Sequence, residues 1–193
     1  MQNVRIFNRI IIVTHSKLDT ETSMKYFLFL FLFPMVTNAK VISSNTNGFT
    51  IQIERSVNVD AITAYEKFLN IGSWWNPEHT YFGDSRNLSI IPAAGGCFCE
   101  IDGEKQVLHM TVSYVEPNKE IRMLGGLGPL QMMGVYGGMS WKFENHGANQ
   151  TKIIHRYQVS GSIEGGMSKL ADIVDRVQQT QINSLVAKLQ DNE

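Results

Sequence analysis

The chain has 193 residues, 43% hydrophobic and 18% charged, with 17 basic and 18 acidic side chains and a formal net charge of −1. The basic residues form no stripe or cluster, which argues against nucleic acid as a partner. The length is that of one ordinary domain.

The N-terminal part reads differently from the rest. From Met24 the sequence is MKYFLFLFLFPMVTNA: one lysine, an apolar run from Tyr26 to Phe33, a helix-breaking Pro34, and small Ala39 at the end. That is the plan of a secretory signal, and the apolar run is too short to span a bilayer. Segment 24–39 is therefore predicted to be a signal peptide cleaved after Ala39. Residues 1–23 are read as an upstream extension ahead of a true start at Met24, and 40–193 as a single domain. The expected compartment is the periplasm or the exterior, with no stable membrane anchor after cleavage. Taking 39 residues from 193 leaves 154, with 13 basic and 16 acidic side chains and a net charge of −3.

In FTIQIERSVNV, Phe49, Ile51 and Ile53 alternate with Thr50, Gln52 and Glu54, as in a strand with one buried face. Asp60 then offers an N-cap to AITAYEKFLN, where Ile62, Tyr65, Phe68 and Leu69 recur at helical spacing. Gly72 ends or bends this helix, and SWWNPEHTYFGD, residues 73–84, follows as a turn-rich stretch. Further strands are predicted in RNLSII, GGCFCEID, KQVLHMTVSYVEP and KEIRMLGG, with a hairpin signal at Asp102-Gly103. GVYGGMSWKFEN places Met139, Trp141 and Phe143 on one face, and QTKIIHRYQVSG does the same for Ile153, His155, Tyr157 and Val159. A helix from about 166 to 190 closes the chain. Its apolar stripe, running from Leu170 to Leu189, is interrupted by QQTQ, so part of it faces something less apolar than core.

Cys97 and Cys99 are the only cysteines. An oxidising compartment permits a disulfide. Residues two apart on a regular strand nevertheless hold their Cβ atoms too far apart for a relaxed bridge, so two separate thiols on one strand face are expected.

Six to seven strands, a short helical pair after the first and a long terminal helix make an α+β domain. A curved antiparallel sheet can wrap such a helix and leave a cavity between them. The order of elements resembles the START-like superfamily, also called SRPBCC, polyketide cyclase-like or helix-grip proteins. So do WW after the first helices, GG-C-F-C-E, V-x-H-M-x-V-x-Y-V-x-P and GGLGPLQ, within a secreted bacterial branch. The resemblance covers about residues 48–190 and is specific for fold rather than function. It implies a helix-grip sheet and an apolar ligand held between sheet and helix.

Several side chains are candidates for such a site. Trp74 and Trp75 either cap the open end of the sheet or contact a ligand. His79, beside Glu78, is either a general base held by that carboxylate or a loop-shaping residue, and Tyr81 offers a phenol or covers the sheet. Glu100 enters the cavity if Phe98 does, and faces solvent if the cysteines point inward. His109, His155 and Tyr157 either sit in the core or form a polar cluster with Glu100. Met132 and Met133 in the glycine-rich loop 125–138 are adaptable apolar contacts on a mobile cover between two strands, and Trp141 adds an apolar wall. Cys97, Cys99, His79 and His109 carry zinc-type donors at a spacing that matches no zinc pattern. The glycine-rich loop lacks the Gly-Lys-Ser/Thr ending of a phosphate cradle. No metal or cofactor is expected.

The sequence reading is a carrier or sensor for a small apolar or amphipathic molecule. The alternative is a cyclase-, dehydratase- or hydrolase-like enzyme with a histidine as base and Glu100 as acid or orienter. A protein-interaction module is a third class, against which the export signal argues.

Overall fold

A computed structural model describes residues 39–191. The segment 1–38, where nearly all of the signal-like stretch lies, falls outside the described residues.

The alternating pattern of residues 48–57 becomes β2 (Gly48–Val57), with Phe49, Ile51 and Ile53 almost fully buried. Asp60 caps α1 (Ala61–Leu69) as its spacing predicts, its Oδ1 accepting from the Thr63 amide at 2.7 Å. The later strands are β3 (Leu88–Ile90), β4 (Cys97–Asp102), β5 (Lys105–Glu116), β6 (Glu120–Leu124), β7 (Tyr136–Asn145) and β8 (Thr151–Ser160). The long helix α2 covers Ser168–Gln190. With β1 (Ala39–Asn45) they build one curved antiparallel sheet in the order β1-β2-β8-β7-β6-β5-β4-β3.

The sheet thus has eight strands among the described residues rather than six to seven. The additional strand is β1, whose sequence AKVISSN shows no clean alternation because it is an edge strand: Val41 is half-buried and Ile42 is exposed. The expected second short helix is also absent. Three single 3₁₀ turns take its place, at Ile71–Ser73, Pro77–His79 and Ser85–Asn87. Pro77 lacks the amide that a longer helix needs, and Gly83 has φ +79°, outside the helical region.

A β-bulge between β4 and β5 governs the inner face of the sheet. Phe98 pairs with Met110 and Cys99 with Leu108, which leaves His109 as an extra residue on β5. The alternation of β5 therefore slips by one, and His109 and Met110 are both buried, 4% and 1% exposed. On β4, Phe98 and Glu100 point inward while Cys97 and Cys99 lie half-buried on the other side.

The cysteines are bridged, contrary to the expectation of separate thiols. At the irregularity beside the bulge their Cα atoms are 5.4 Å apart. That lies inside the roughly 4.4–6.8 Å span that disulfides require.

The core under α1 is aromatic. Phe68 packs on Trp141 at 5.0 Å and on Phe143 at 5.5 Å between ring centroids, and Trp74 meets Phe68 and Trp141, each at 6.1 Å. His155 belongs to this core. It is fully buried, with its ring centroid 4.2 Å from that of Trp141. The Ser140 backbone and the Gln178 side chain lie alongside, yet neither ring nitrogen closes a hydrogen bond. Burial pushes the imidazole down to about 3, so the ring is neutral at physiological pH.

Because this value lies below the ordinary 6.5, the unfolded chain takes up the proton first as pH falls. The stability owed to the neutral ring is complete above pH 6.5 and drains as pH drops toward 3. Urea unfolding should show wild-type stability falling relative to His155→Leu by about 1 kcal/mol per pH unit in that window. Parallel acid limbs for the two proteins would contradict this account.

Candidate functional site

The sheet does not close completely on α2. A cavity of about 460 Å³ lies between them. Phe98, His109 and Tyr157 border it from the strands, and Leu170, Val174 and Val177 from the helix. Trp75, His79 and Tyr81 line it from the 73–84 stretch, and Leu127, Leu130 and Met133 from the glycine-rich loop.

The paired tryptophans diverge. Trp74 turns into the aromatic core and donates Nε1–H to the Phe68 carbonyl at 3.1 Å. Trp75 turns toward the cavity, packs edge-on against Phe98 at 5.5 Å, and donates to the His79 carbonyl at 3.0 Å. Both indoles are buried, 5% and 6% exposed, with the N–H of Trp74 satisfied by α1 before it and that of Trp75 by the turn after it.

The Glu100 carboxylate organises the polar wall. It is fully buried and takes three donors: the Tyr81 amide on Oε2 at 2.9 Å, the Phe82 amide on Oε1 at 2.7 Å, and His109 Nε2, 3.2 Å from Oε2. These contacts fasten the loop after Trp75 to the sheet. Glu100 itself stands behind His109 and does not line the cavity. Burial pushes the His109 imidazole below its ordinary value, against the smaller upward pull of Glu100. The neutral ring carries its proton on Nε2, toward the carboxylate. Nδ1 is left as an acceptor with no partner. The ring is flanked by Phe98 at 4.9 Å and Tyr81 at 5.8 Å.

His79 is exposed at the mouth, and its orienting partner is Gln181 of α2 rather than Glu78. Gln181 Oε1 accepts from the Asn76 amide at 2.9 Å, which fixes the side-chain amide so that Nε2 faces His79 Nδ1 at 2.6 Å. The neutral His79 ring therefore has its proton on Nε2. Gln181 is fully buried, and Gln178, 1% exposed, lines the cavity. These two are the polar interruption in the helix stripe, and they account for it.

Tyr157 secures the glycine-rich loop. Its hydroxyl accepts from the Leu127 amide at 3.1 Å and donates to the Gly125 carbonyl at 3.3 Å, and burial pushes it up to about 12. Gly137 permits the close approach, since a Cβ there would sit 2.7 Å from the Tyr157 ring. Gln131 ties the same loop to β5 through the Leu108 carbonyl at 2.6 Å. The expected cover is thus anchored at its base.

The structure brings Trp75, His79, Tyr81, His109 and Tyr157 to the cavity wall. Trp74, Trp141 and His155 are core residues off the cavity, and Met132 is 89% exposed, its neighbour Met133 taking the inward place. Sequence reasoning left the roles of Gln178 and Gln181 unassigned, and it gave Glu100 with His109 only as part of a wider alternative cluster that also held His155 and Tyr157. The signal for the second was present in VLHMTV, where strict alternation puts His109 and Met110 on opposite faces and only a bulge lets both turn in. Among the described residues, no group of three or more His, Cys, Asp or Glu is placed to hold a metal ion, and no helix is long and apolar enough to cross a membrane.

No protein-family model matches the chain, and no curated protein matches it significantly. Solved structures do. CalU16 from Micromonospora echinospora aligns with a TM-score of 0.50 at 10% identity, over 78% of this chain and 82% of that one. DynU16, from the dynemicin biosynthetic locus, gives 0.53 at 15% identity over 75% of this chain and 48% of its own, so the chain spans about half of DynU16. Ara h 8.0201 gives 0.51 at 11% identity over 75% and 99%. At these identities the likeness is one of fold: the chain has an α+β helix-grip fold, a curved antiparallel sheet with a long C-terminal helix.

Glu100→Ala would strand two loop amides and the His109 donor in a buried site. The expected loss is about 2–4 kcal/mol of unfolding free energy, with faster hydrogen exchange at the Tyr81 and Phe82 amides before global unfolding. Unaltered exchange at both amides would show that the carboxylate does not hold the loop.

Proposed function

We propose that the protein binds a small apolar or amphipathic molecule between the sheet and α2, as a carrier or sensor. One observation carries this reading: a core otherwise packed with aromatic side chains leaves about 460 Å³ open along α2, walled mainly by apolar residues with a few placed polar groups. Ligand sites typically combine such walls with sparse polar anchors, and their volumes run from roughly 300 to 1,000 Å³. CalU16 and DynU16 lend support by fold alone.

The buried Glu100–His109 pair favours a second reading, an enzyme acting on the bound molecule. There His109 would serve as base, with Glu100 holding its tautomer. His79, oriented by Gln181, stands at the mouth rather than beside Glu100. Recovery of the bound molecule with its mass unchanged after prolonged incubation would count against catalysis.

The reading extends to an exported protein, periplasmic or secreted. A formed Cys97–Cys99 disulfide suits an oxidising compartment.

Nile red, an uncharged dye, should brighten on binding the wild type. Val174→Trp fills the cavity from the helix side and should cut the affinity about tenfold or more while leaving a single cooperative melt. Equal brightening by both proteins would place the dye elsewhere and overturn the cavity reading. For export, N-terminal sequencing of protein recovered outside the cytoplasm should begin at Lys40, with neither cysteine alkylated unless a reductant is added. A cytoplasmic product retaining Met24 would end that part of the proposal.

A further inference from the structure

We propose that the cavity selects an uncharged guest whose apolar body carries a hydroxyl donor, a phenol or alicyclic alcohol, and rejects carboxylate amphiphiles. This rests on the binding reading above and adds to it the polarity of the guest.

The charges come first. Among the described residues, no lysine or arginine lines the cavity. Glu78 is the charged side chain that the described residues contribute to its lining, at the exposed mouth, and the Glu100 carboxylate lies directly behind His109. An anionic head group drawn inside would lose its water, gain no countercharge, and approach a buried carboxylate.

The hydrogen-bonding capacity of the wall points the same way. Most of its polar groups are already engaged: the Tyr157 hydroxyl with Leu127 and Gly125, the Trp75 N–H with the His79 carbonyl, and the Thr80 hydroxyl with Pro77 and Gly83. Two buried acceptor atoms of this wall have no partner. One is His109 Nδ1, an acceptor because Nε2–H is directed at Glu100. The other is Gln178 Oε1, which lies beside the His155 ring without closing a bond. Their residues are 4% and 1% exposed, and both line the cavity. Both atoms are shut off from solvent; at His109 the unused capacity is accepting, at Gln178 it includes the amide N–H as well, and a guest complements the imidazole by donating. Donors that remain, on His79 and Tyr81, stand at the exposed mouth, where water serves them.

A matched set of biphenyls separates the possibilities by calorimetry on the full protein at neutral pH. 4-Phenylphenol presents a donor, 4-methoxybiphenyl keeps the body without it, and biphenyl-4-carboxylate carries the charge. The phenol should bind about tenfold tighter than the ether, the carboxylate weaker than either. His109→Phe should erase the advantage of the phenol while leaving the ether unchanged, and Gln178→Leu should narrow it. If His109→Phe does not fold, the comparison of ligands on the wild type still decides. Equal affinity for phenol and ether, or tightest binding of the carboxylate, would overturn this inference and leave the binding reading standing. Failure of all three to bind would overturn it together with that reading.

Discussion

The inner wall of this protein depends on one buried carboxylate. Glu100 stands behind His109, off the cavity, with three donors directed at its oxygens, two from the 73–84 stretch and one from β5. A buried charge is tolerable only when it is neutralised by such donors. Here the donors come from two separate segments, the 73–84 stretch and β5. The same contacts that solvate the carboxylate therefore set the position of Tyr81 and the tautomer of His109. The loop, the histidine and the shape of the mouth follow from one side chain on β4.

The second constraint is geometric. A regular β5 would place His109 and Met110 on opposite faces, and one of them would leave the interior. The bulge keeps both inside and delivers an imidazole to a carboxylate on the neighbouring strand. Outside the same irregularity, the Cys97–Cys99 bridge closes a ring across β4. Phe98 lies between the bridged residues and lines the cavity, so the covalent link and the packed wall share three consecutive positions.

Much of the architecture is legible in the sequence. Period-two alternation in β2, β7 and β8, the Asp60 cap and the stripe of α2 predict the element order, and the START-like resemblance follows from that order together with short motifs. The edge strand β1 is not legible because a strand with one partner and little burial needs no alternation. The site is legible in composition but not in pairing. Trp75, His79, Tyr81, His109 and Tyr157 stand out as chemistry-bearing residues, whereas the partition of Trp74 and His155 into the core depends on which way a turn and a strand face point. Local periodicity also misleads at the cysteines. Cysteines two apart are held from bridging only on a regular strand, and a bulge is a non-local decision made jointly by β4 and β5.

The bond from Gln181 to His79 has a consequence for traffic through the mouth. Gln181 belongs to the roof of the hollow, while Asn76 and His79 form its doorstep, and one amide grips both. Widening the passage on that side means parting this clasp or carrying the helix along with the threshold. Rates of loading and unloading there would then be set by the breathing of the C-terminal helix, so a substitution on that helix well away from any guest can alter how long the guest stays.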